Sequence, residues 1–243
     1  MTLRNRLGIL YRNLFVSTHL RQAKAQLSRL LQSHGESPEG IVKITDEFRG
    51  SGWFLEIRSW QIKSEFIGML EWAKDLKPVN ILEIGTAKGA TLLAWCRFAS
   101  NKVVSVDLPG GIHGGGYPAV KQGLYQHFVA DRPNVKLCCI QDDSHVDSTR
   151  AQAEAFLKGD KLDILFIDGD HTYEGVKRDF ELWSPLVRPG GYVAFHDILP
   201  HKDLHDCEVD KLWTELKAQY TWREFVENPG QGWAGIGTVQ MPL

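Results

Sequence analysis

Short apolar runs alternate along this chain with segments whose apolar positions recur at helical spacing. A helical pattern starts at Ser59 and stops before Pro78, and a regular strand–helix alternation follows it. The runs lack polar alternation, which is typical of strands buried on both faces of a parallel sheet. The pattern predicts an α/β fold with a doubly wound, mostly parallel sheet. The predicted strands are 81–84, 103–106, 135–140, 162–167 and 192–195, and the predicted helices are 90–98, 120–129, 149–157, 173–183 and 209–220.

Both ends of the chain depart from this alternation. Residues 222–226 and 233–239 flank an Asn-Pro-Gly-Gln-Gly segment, so we expect a hairpin that ends a seven-stranded sheet with an antiparallel strand. Residues 33–40, rich in Ser, Gly and Pro, are interpreted as a linker. We therefore expect a helical extension with its linker over 1–58 and the main domain over 59–243.

The first 34 residues are basic and amphipathic. They contain no acidic residue, since the first in the chain is Glu36, and leucines recur at helical spacing. The basic residues are Arg4, Arg6, Arg12, Arg21, Lys24 and Arg29, and the leucines are Leu3, Leu7, Leu10 and Leu14. Three interpretations stay open: a helix packed on the body or on a second subunit of a homodimer, a contact with a membrane surface, and a cleaved transit segment.

Composition excludes several classes of protein. The chain has 243 residues, 43% of them apolar, and a net charge of -2, which gives no field that would attract nucleic acid. The four cysteines form no CxxC pair, which favours a reducing, cytoplasmic setting over a disulfide framework. No apolar run approaches the roughly 20 residues of a transmembrane helix.

Ligands of open α/β sheets bind at the carboxyl ends of the strands, so the residues there are candidates for a site. The first strand ends in Glu83, Gly85, Thr86 and Gly89. Their spacing lacks the middle glycine of a dinucleotide fingerprint, so a ligand with a ribose and a carboxylate but no diphosphate fits better. A plain strand–helix turn is the alternative.

The second and third predicted strands also end in acidic residues. Asp107 follows the glycine turn by about 20 residues, where a carboxylate can accept both ribose hydroxyls; it could equally cap a helix. The glycine-rich loop 109–117 is either a lid or a flexible connection. Asp143 and Ser144 suit the adenine edge, although a helix cap would have the same sequence.

The fourth and fifth predicted strands end in Asp168 and in His196-Asp197. Neighbouring parallel strands lie about 4.8 Å apart, so these carboxylates converge and need a proton or a cation between them. Asp168, His196 and Asp197 are therefore candidate metal ligands, for Mg²⁺ or, because of the imidazole, Mn²⁺ or another transition metal. The alternative is that Asp168 binds the ammonium group of a cofactor and Asp197 caps a helix.

His171 lies three residues beyond Asp168 and is a candidate general base, since its ordinary pKa is near neutral. A bond to Glu174 or Asp170 is the alternative. His201 and His205 are either further ligands or loop residues. The tryptophans are expected to pack in the core rather than against substrate; they include Trp53, Trp60, Trp72, Trp213 and Trp233.

The order Glu83-x-Gly85, Asp107, Asp143-Ser144, Asp168 and "RPGGYVAFHD" resembles the class I S-adenosylmethionine-dependent methyltransferases from about Ser59 onward. "IDGDHTYEGVKRDF" with "GGYVAFHD" resembles the small-molecule O-methyltransferases, including the cephalosporin-hydroxylase-like branch and the sugar and macrolide branch. The resemblance implies that Glu83, Gly85 and Gly89 line the methionine end of the cofactor, that Asp107 holds the ribose, and that Asp143 and Ser144 lie by the adenine. In the metal-dependent members the pair at 196–197 is acidic or amide, whereas this chain has His196 first.

The resulting hypothesis is methyl transfer from S-adenosylmethionine to a hydroxyl of a small molecule, such as a sugar or a natural product, with a divalent metal at Asp168 and Asp197 and with His171 as base. Two alternatives stay open. One is an NAD(P)-dependent oxidoreductase, and the other is a non-catalytic binding module on a methyltransferase scaffold.

Overall fold

A single mixed sheet forms the centre of the fold. The computed structural model describes residues 3–50, 55–110, 116–202 and 206–243, with only the backbone for 3–14. In these ranges the strands are β1 (Asn80–Ile84), β2 (Lys102–Asp107), β3 (Lys136–Gln141), β4 (Leu162–Ile167), β5 (Val187–His196), β6 (Thr221–Phe225) and β7 (Ile236–Gln240). Their order is β3-β2-β1-β4-β5-β7-β6, with β7 antiparallel to both of its neighbours. The predicted fold class, including the terminal antiparallel hairpin, is confirmed.

Helices cover both faces of the sheet. They are α1 (Leu3–His34), α2 (Pro38–Glu47), α3 (Lys63–Asp75), α4 (Ala90–Phe98), α5 (Ala119–Tyr125), α6 (Asp147–Leu157), α7 (Tyr173–Trp183) and α8 (Val209–Lys217). One hydrophobic cluster joins α1 through α5 to the sheet, and a second joins α6 through α8 to its other face. In the described part of the chain, no helix combines the length and the apolar character needed to span a membrane.

The predicted linker over 33–40 is wrong for most of its length, because α1 continues to His34 and α2 begins at Pro38. The Ser37 side chain accepts a hydrogen bond from the Gly40 N–H at 3.0 Å, and Pro38 occupies the first helical position. Ser and Pro therefore start a helix here, where sequence composition alone indicated a connection.

The N-terminal helices pack on the body of the protein. Ala23 and Leu27 of α1 and Ile44 of α2 are fully buried in the same cluster as Phe66 and Trp95. The helix predicted for the first 34 residues is present as α1. The leucine stripe that sequence periodicity assigned to residues 3–14 lies outside the described side chains.

Strand register brings the candidate site together. β1 pairs with β4 so that Ile84 lies opposite Ile167, and β4 pairs with β5 so that Ile167 lies opposite Phe195. β1 and β4 end at these paired residues, and β5 ends one residue later, at His196. The side chains that follow these three strands therefore meet at one edge of the sheet, as the sequence predicts.

Candidate active site

A cavity of about 850 Å³ opens at the carboxyl ends of β1 through β5. Its size is typical of a small-molecule or cofactor site. Nine predicted site residues line it: Gly85, Thr86, Asp107, Asp143, Ser144, Asp168, His171, His196 and Asp197. Glu83 and Gly89, also predicted for the site, are absent from the lining and lie behind the wall.

The turn after β1 requires its glycines. Gly85 has φ +88°, and a Cβ there would lie 1.8 Å from the backbone oxygen of Asp168, so only glycine allows β1 and β4 to approach so closely. Gly89 has φ +80°, and a Cβ would lie 2.5 Å from the ring of Tyr125. The two glycines therefore shape a tight wall between the sheet and the start of α4.

Asp107 forms the part of the cavity wall next to the glycine turn after β1. It is 3% exposed, and its Oδ2 accepts hydrogen bonds from the N–H groups of Ala87 at 3.2 Å and Gly116 at 3.1 Å. Burial raises the pKa of Asp107 to about 6, although these N–H groups oppose the shift. The predicted alternative of a helix cap does not apply, because α5 begins at Ala119 after Pro118. Residues 111–115 of the predicted lid lie outside the described residues.

Asp143 and Ser144 line the cavity beside β3. Asp143 Oδ1 accepts a hydrogen bond from the His145 N–H at 2.8 Å, and the Ser144 carbonyl accepts one from the Trp183 indole at 2.9 Å. Neither side chain caps α6, whose N-cap residue is Val146. The cap that sequence analysis left open is therefore absent, and the Ser144 side chain instead interacts with Asp179.

His145 and Asp179 form a pair that sequence analysis missed. His145 lines the cavity, and its Nε2 lies 3.4 Å from Oδ1 of the fully buried Asp179 on α7. The pKa of His145 is raised, chiefly by Asp179, whose own pKa is raised by burial. The sequence did offer one signal for this pair: Asp179 is a charged residue at a helical position that otherwise faces the core.

A cluster of His and Asp side chains forms the other end of the cavity. His196 Nδ1 lies 3.3 Å from Asp168 Oδ1 and 3.0 Å from Asp197 Oδ2. His171 Nε2 lies 3.5 Å from Asp168 Oδ1 and 3.6 Å from Asp197 Oδ2. Asp197 has φ +60°, a conformation that non-glycine residues adopt rarely and that often marks a functional site.

Electrostatics in this cluster favour charged rings beside charged carboxylates. Burial opposes ionisation, but Asp168 and Asp197 outweigh it and hold the pKa of His196 well above its usual value. The same carboxylates raise the pKa of His171 in spite of burial. The pKa of Asp197 lies well below its usual range, since His196 outweighs the effect of burial.

His201 and Gln61 complete the cluster. His201 Nε2 lies 2.9 Å from Asp197 Oδ1, so the predicted further ligand is in contact with the cluster. Gln61 donates a hydrogen bond to Asp168 Oδ2 at 3.2 Å, a contact across 107 residues that no local pattern predicts. His205 lies outside the described residues.

Two tryptophans stand at the cavity rather than in the core. Trp60 is 58% exposed and Trp233 is 45% exposed, and both line the cavity. The predicted core packing is therefore wrong for these two, because each is carried by an irregular segment next to the cavity. It is right for Trp213, which is buried. Trp53 lies outside the described residues.

Residues 82–198 match the model of a protein family described as a methyltransferase domain. This segment of the chain is therefore similar to a methyltransferase domain. This match covers every predicted site residue and confirms the resemblance seen in the sequence. The predicted oxidoreductase alternative is not favoured.

Relatives of the methyltransferase domain are distant. Protein y4gI of Sinorhizobium fredii, an uncharacterized protein, is 28% identical over 149 residues, which is 59% of this chain but 15% of that protein. The chain therefore spans less than a fifth of the length of that curated relative.

Solved structures share the fold of the methyltransferase domain. An O-methyltransferase from Bacillus cereus in complex with SAH superposes with a TM-score of 0.54 at 16% identity, over 84% of this chain and 90% of that one. The O-methyltransferase TomG from Streptomyces achromogenes, in complex with SAM, superposes with a TM-score of 0.53 at 16% identity, over 90% of each chain. At these identities the likeness establishes the fold.

Proposed function

We propose that this chain is an S-adenosylmethionine-dependent O-methyltransferase that acts on a hydroxyl of a small molecule. The observation that carries the proposal is one cavity that joins two kinds of chemistry. At one end are the Gly85 turn, Asp107 and Asp143, and at the other is the cluster of Asp168, His171, His196 and Asp197. The family match and O-methyltransferases of the same fold support it.

The nucleoside end supplies binding groups. Asp107 would hold the ribose hydroxyls, with Asp143 and Ser144 at the adenine, and Gly85 with Thr86 would border the methionine end. Glu83 and Gly89 would act from behind the wall by fixing the shape of the turn. S-adenosylmethionine held by these residues would supply its sulfonium methyl group to the acceptor oxygen and leave as the neutral thioether. The chain's own task is alignment of the two reactants.

The acceptor end supplies a base. Only the neutral His171 ring can accept the proton of an acceptor hydroxyl, and because its pKa is raised, this form needs a more alkaline pH than in an ordinary histidine. Asp168 and Asp197, within 3.6 Å of its Nε2, orient the ring and stabilise it once protonated. Trp60 and Trp233 line the cavity and would stack on a ring of the acceptor.

The residues at this end also fit a divalent cation. His196 is 6% exposed; its Nδ1 contacts the carboxylates of Asp168 and Asp197, and its Nε2 lacks a hydrogen-bond partner among the described residues. Ligand atoms of Asp168, His196 and Asp197 lie within 4.8 Å of one another. These three would hold Mg²⁺ or Mn²⁺, and such an ion would supply Lewis acidity to the acceptor oxygen. The homodimer, the absence of nucleic acid, membrane contact through α1 and a cytoplasmic location stay predictions of the sequence.

Calorimetry with two ligands tests both ends of the cavity. We expect Asp107→Asn to weaken S-adenosylhomocysteine binding by at least about tenfold, because a carboxylate that accepts from two hydroxyls is lost, and to leave Mn²⁺ binding unchanged. Asp168→Asn should weaken Mn²⁺ binding and leave S-adenosylhomocysteine binding intact.

The matched control is Asp75→Asn, which changes an exposed carboxylate at the end of α3 and should alter neither affinity. Unchanged S-adenosylhomocysteine affinity in Asp107→Asn would refute the cofactor assignment. Undetectable Mn²⁺ binding to the unmodified chain would remove the metal and leave the methyltransferase assignment in place.

A further inference from the structure

Cys207 places a thiol beside His171 and Asp197, two residues that line the cavity. Its sulfur, a ring nitrogen of His171 and a carboxylate oxygen of Asp197 all lie within 4.8 Å of one another. Cys207 is 8% exposed and is not in a disulfide. A nitrogen, an oxygen and a sulfur donor thus converge on one point from the β4–α7 turn, the end of β5 and the segment before α8.

Backbone contacts hold the thiol in place. The N–H of Glu208, the residue after Cys207, donates to the carbonyl oxygen of His171 at 2.7 Å. The N–H of Tyr173 donates to Glu208 Oε2 at 3.3 Å. Both hydrogen bonds join Glu208 to the segment that carries His171, so the imidazole and the neighbouring thiol of Cys207 are held side by side.

This ligand set differs in chemistry from the set of Asp168, His196 and Asp197. That set has two hard carboxylates and one imidazole, whereas the set with Cys207 replaces one carboxylate by sulfur. Thiolate and imidazole ligands together favour Zn²⁺ and other soft cations, while Mg²⁺ prefers oxygen. The two sets share Asp197, so their occupation is coupled.

We propose that His171, Asp197 and Cys207 form a second cation site, selective for a soft divalent cation such as Zn²⁺. As the metal–sulfur bond forms, the thiol proton leaves to solvent. A cation at this site occupies a ring nitrogen of His171, the proposed base, and draws Asp197 away from the first ligand set. Occupation therefore inhibits methyl transfer; this consequence, though not the binding itself, rests on the proposed function.

Cobalt spectroscopy on the full chain tests the site without any turnover. We expect Co²⁺, added to metal-free protein, to produce the near-ultraviolet charge-transfer band of a cobalt–thiolate bond. Cys207→Ser should lose that band and weaken Zn²⁺ binding by about tenfold or more. Cys138→Ser, which changes a half-buried cysteine of β3, should keep both properties of the unmodified protein.

The unmodified protein alone can overturn the proposal, so the test does not depend on whether the Cys207→Ser variant folds. Absence of the band in the unmodified chain overturns the proposal, and so does a band that persists in Cys207→Ser. Because S-adenosylhomocysteine binding is measured separately, failure of this site leaves the methyltransferase assignment standing.

Discussion

Glu83 is a carboxyl group that the cavity does not reach. It is fully buried on β1, and neither of its carboxyl oxygens has a well-formed hydrogen bond within the described residues. The nearby Thr86 and Thr91 hydroxyls nevertheless favour its charged form. Burial outweighs them and raises its pKa to about 8. The protonated form therefore dominates at neutral pH, and this buried acid makes the fold sensitive to pH.

We expect Glu83→Gln to flatten the dependence of stability on pH. The folded-state pKa of about 8 lies above the ordinary value of 4.5, so the unfolded chain releases this proton first as pH rises. The free energy of unfolding should then fall by on the order of 1 kcal/mol per pH unit between these two values and level off above them. Urea unfolding from pH 5 to pH 9 measures the slope, which the exposed control Glu71→Gln should retain. Parallel slopes for Glu83→Gln and the unmodified chain would contradict the shift.

Trp60 and Trp233 are the residues for which an acceptor role can be tested by truncation. Replacing either by Ala should raise KM for a ring-containing acceptor such as 4-nitrocatechol by about fivefold or more, because stacking on an indole contributes about 1 kcal/mol. Affinity for S-adenosylhomocysteine, measured by calorimetry, should not change. Trp222→Ala is the control, since Trp222 is 48% exposed on β6 and does not line the cavity. Equal effects in all three variants would argue against stacking.

At the scale of elements, the sequence predicts most strands and helices because each βα unit repeats one clear pattern. β5 is the exception, since it starts at Val187 rather than near Tyr192. Its early part contains Pro189 and two glycines, which usually mark a turn. Pairing with β4 is irregular there: Val187 pairs with Leu162, and the register resumes only at Tyr192, opposite Ile164. Only the neighbouring strand decides this, so no local pattern could show it.

The candidate site likewise contains residues whose positions the sequence predicts and residues whose positions it does not. Asp168 and Asp197 could be predicted to converge because they end adjacent parallel strands, and topology follows from the order of elements. The thiol of Cys207 and the amide of Gln61 reach the cluster from segments outside that repeat. Their placement depends on tertiary contacts, such as the Glu208 N–H bonded to the His171 carbonyl, which the sequence does not encode locally.

At the scale of the whole molecule, the boundary predicted near residue 58 stays a proposal, and the packing of the N-terminal helices bears on it. Leu27 belongs to the same buried cluster as Trp95 and Phe166 of the methyltransferase domain. Polar contacts follow the same interface: the Ser28 hydroxyl lies 2.9 Å from His127 Nε2, and Glu36 pairs with the buried Arg97. Such an interface couples the helices to the main body, so both should unfold together.

We therefore expect Leu27→Ala to destabilise the whole chain by about 2–5 kcal/mol, since truncating a buried leucine leaves a cavity in a shared core. Urea unfolding, followed by far-ultraviolet circular dichroism and by tryptophan fluorescence, should give one coincident transition shifted to lower urea. Arg29→Ala, on the exposed side of α1, should shift it by less than about 0.5 kcal/mol. An early helical transition in Leu27→Ala, with the fluorescence transition unmoved, would instead show that α1 unfolds on its own and that the methyltransferase domain is stable without it.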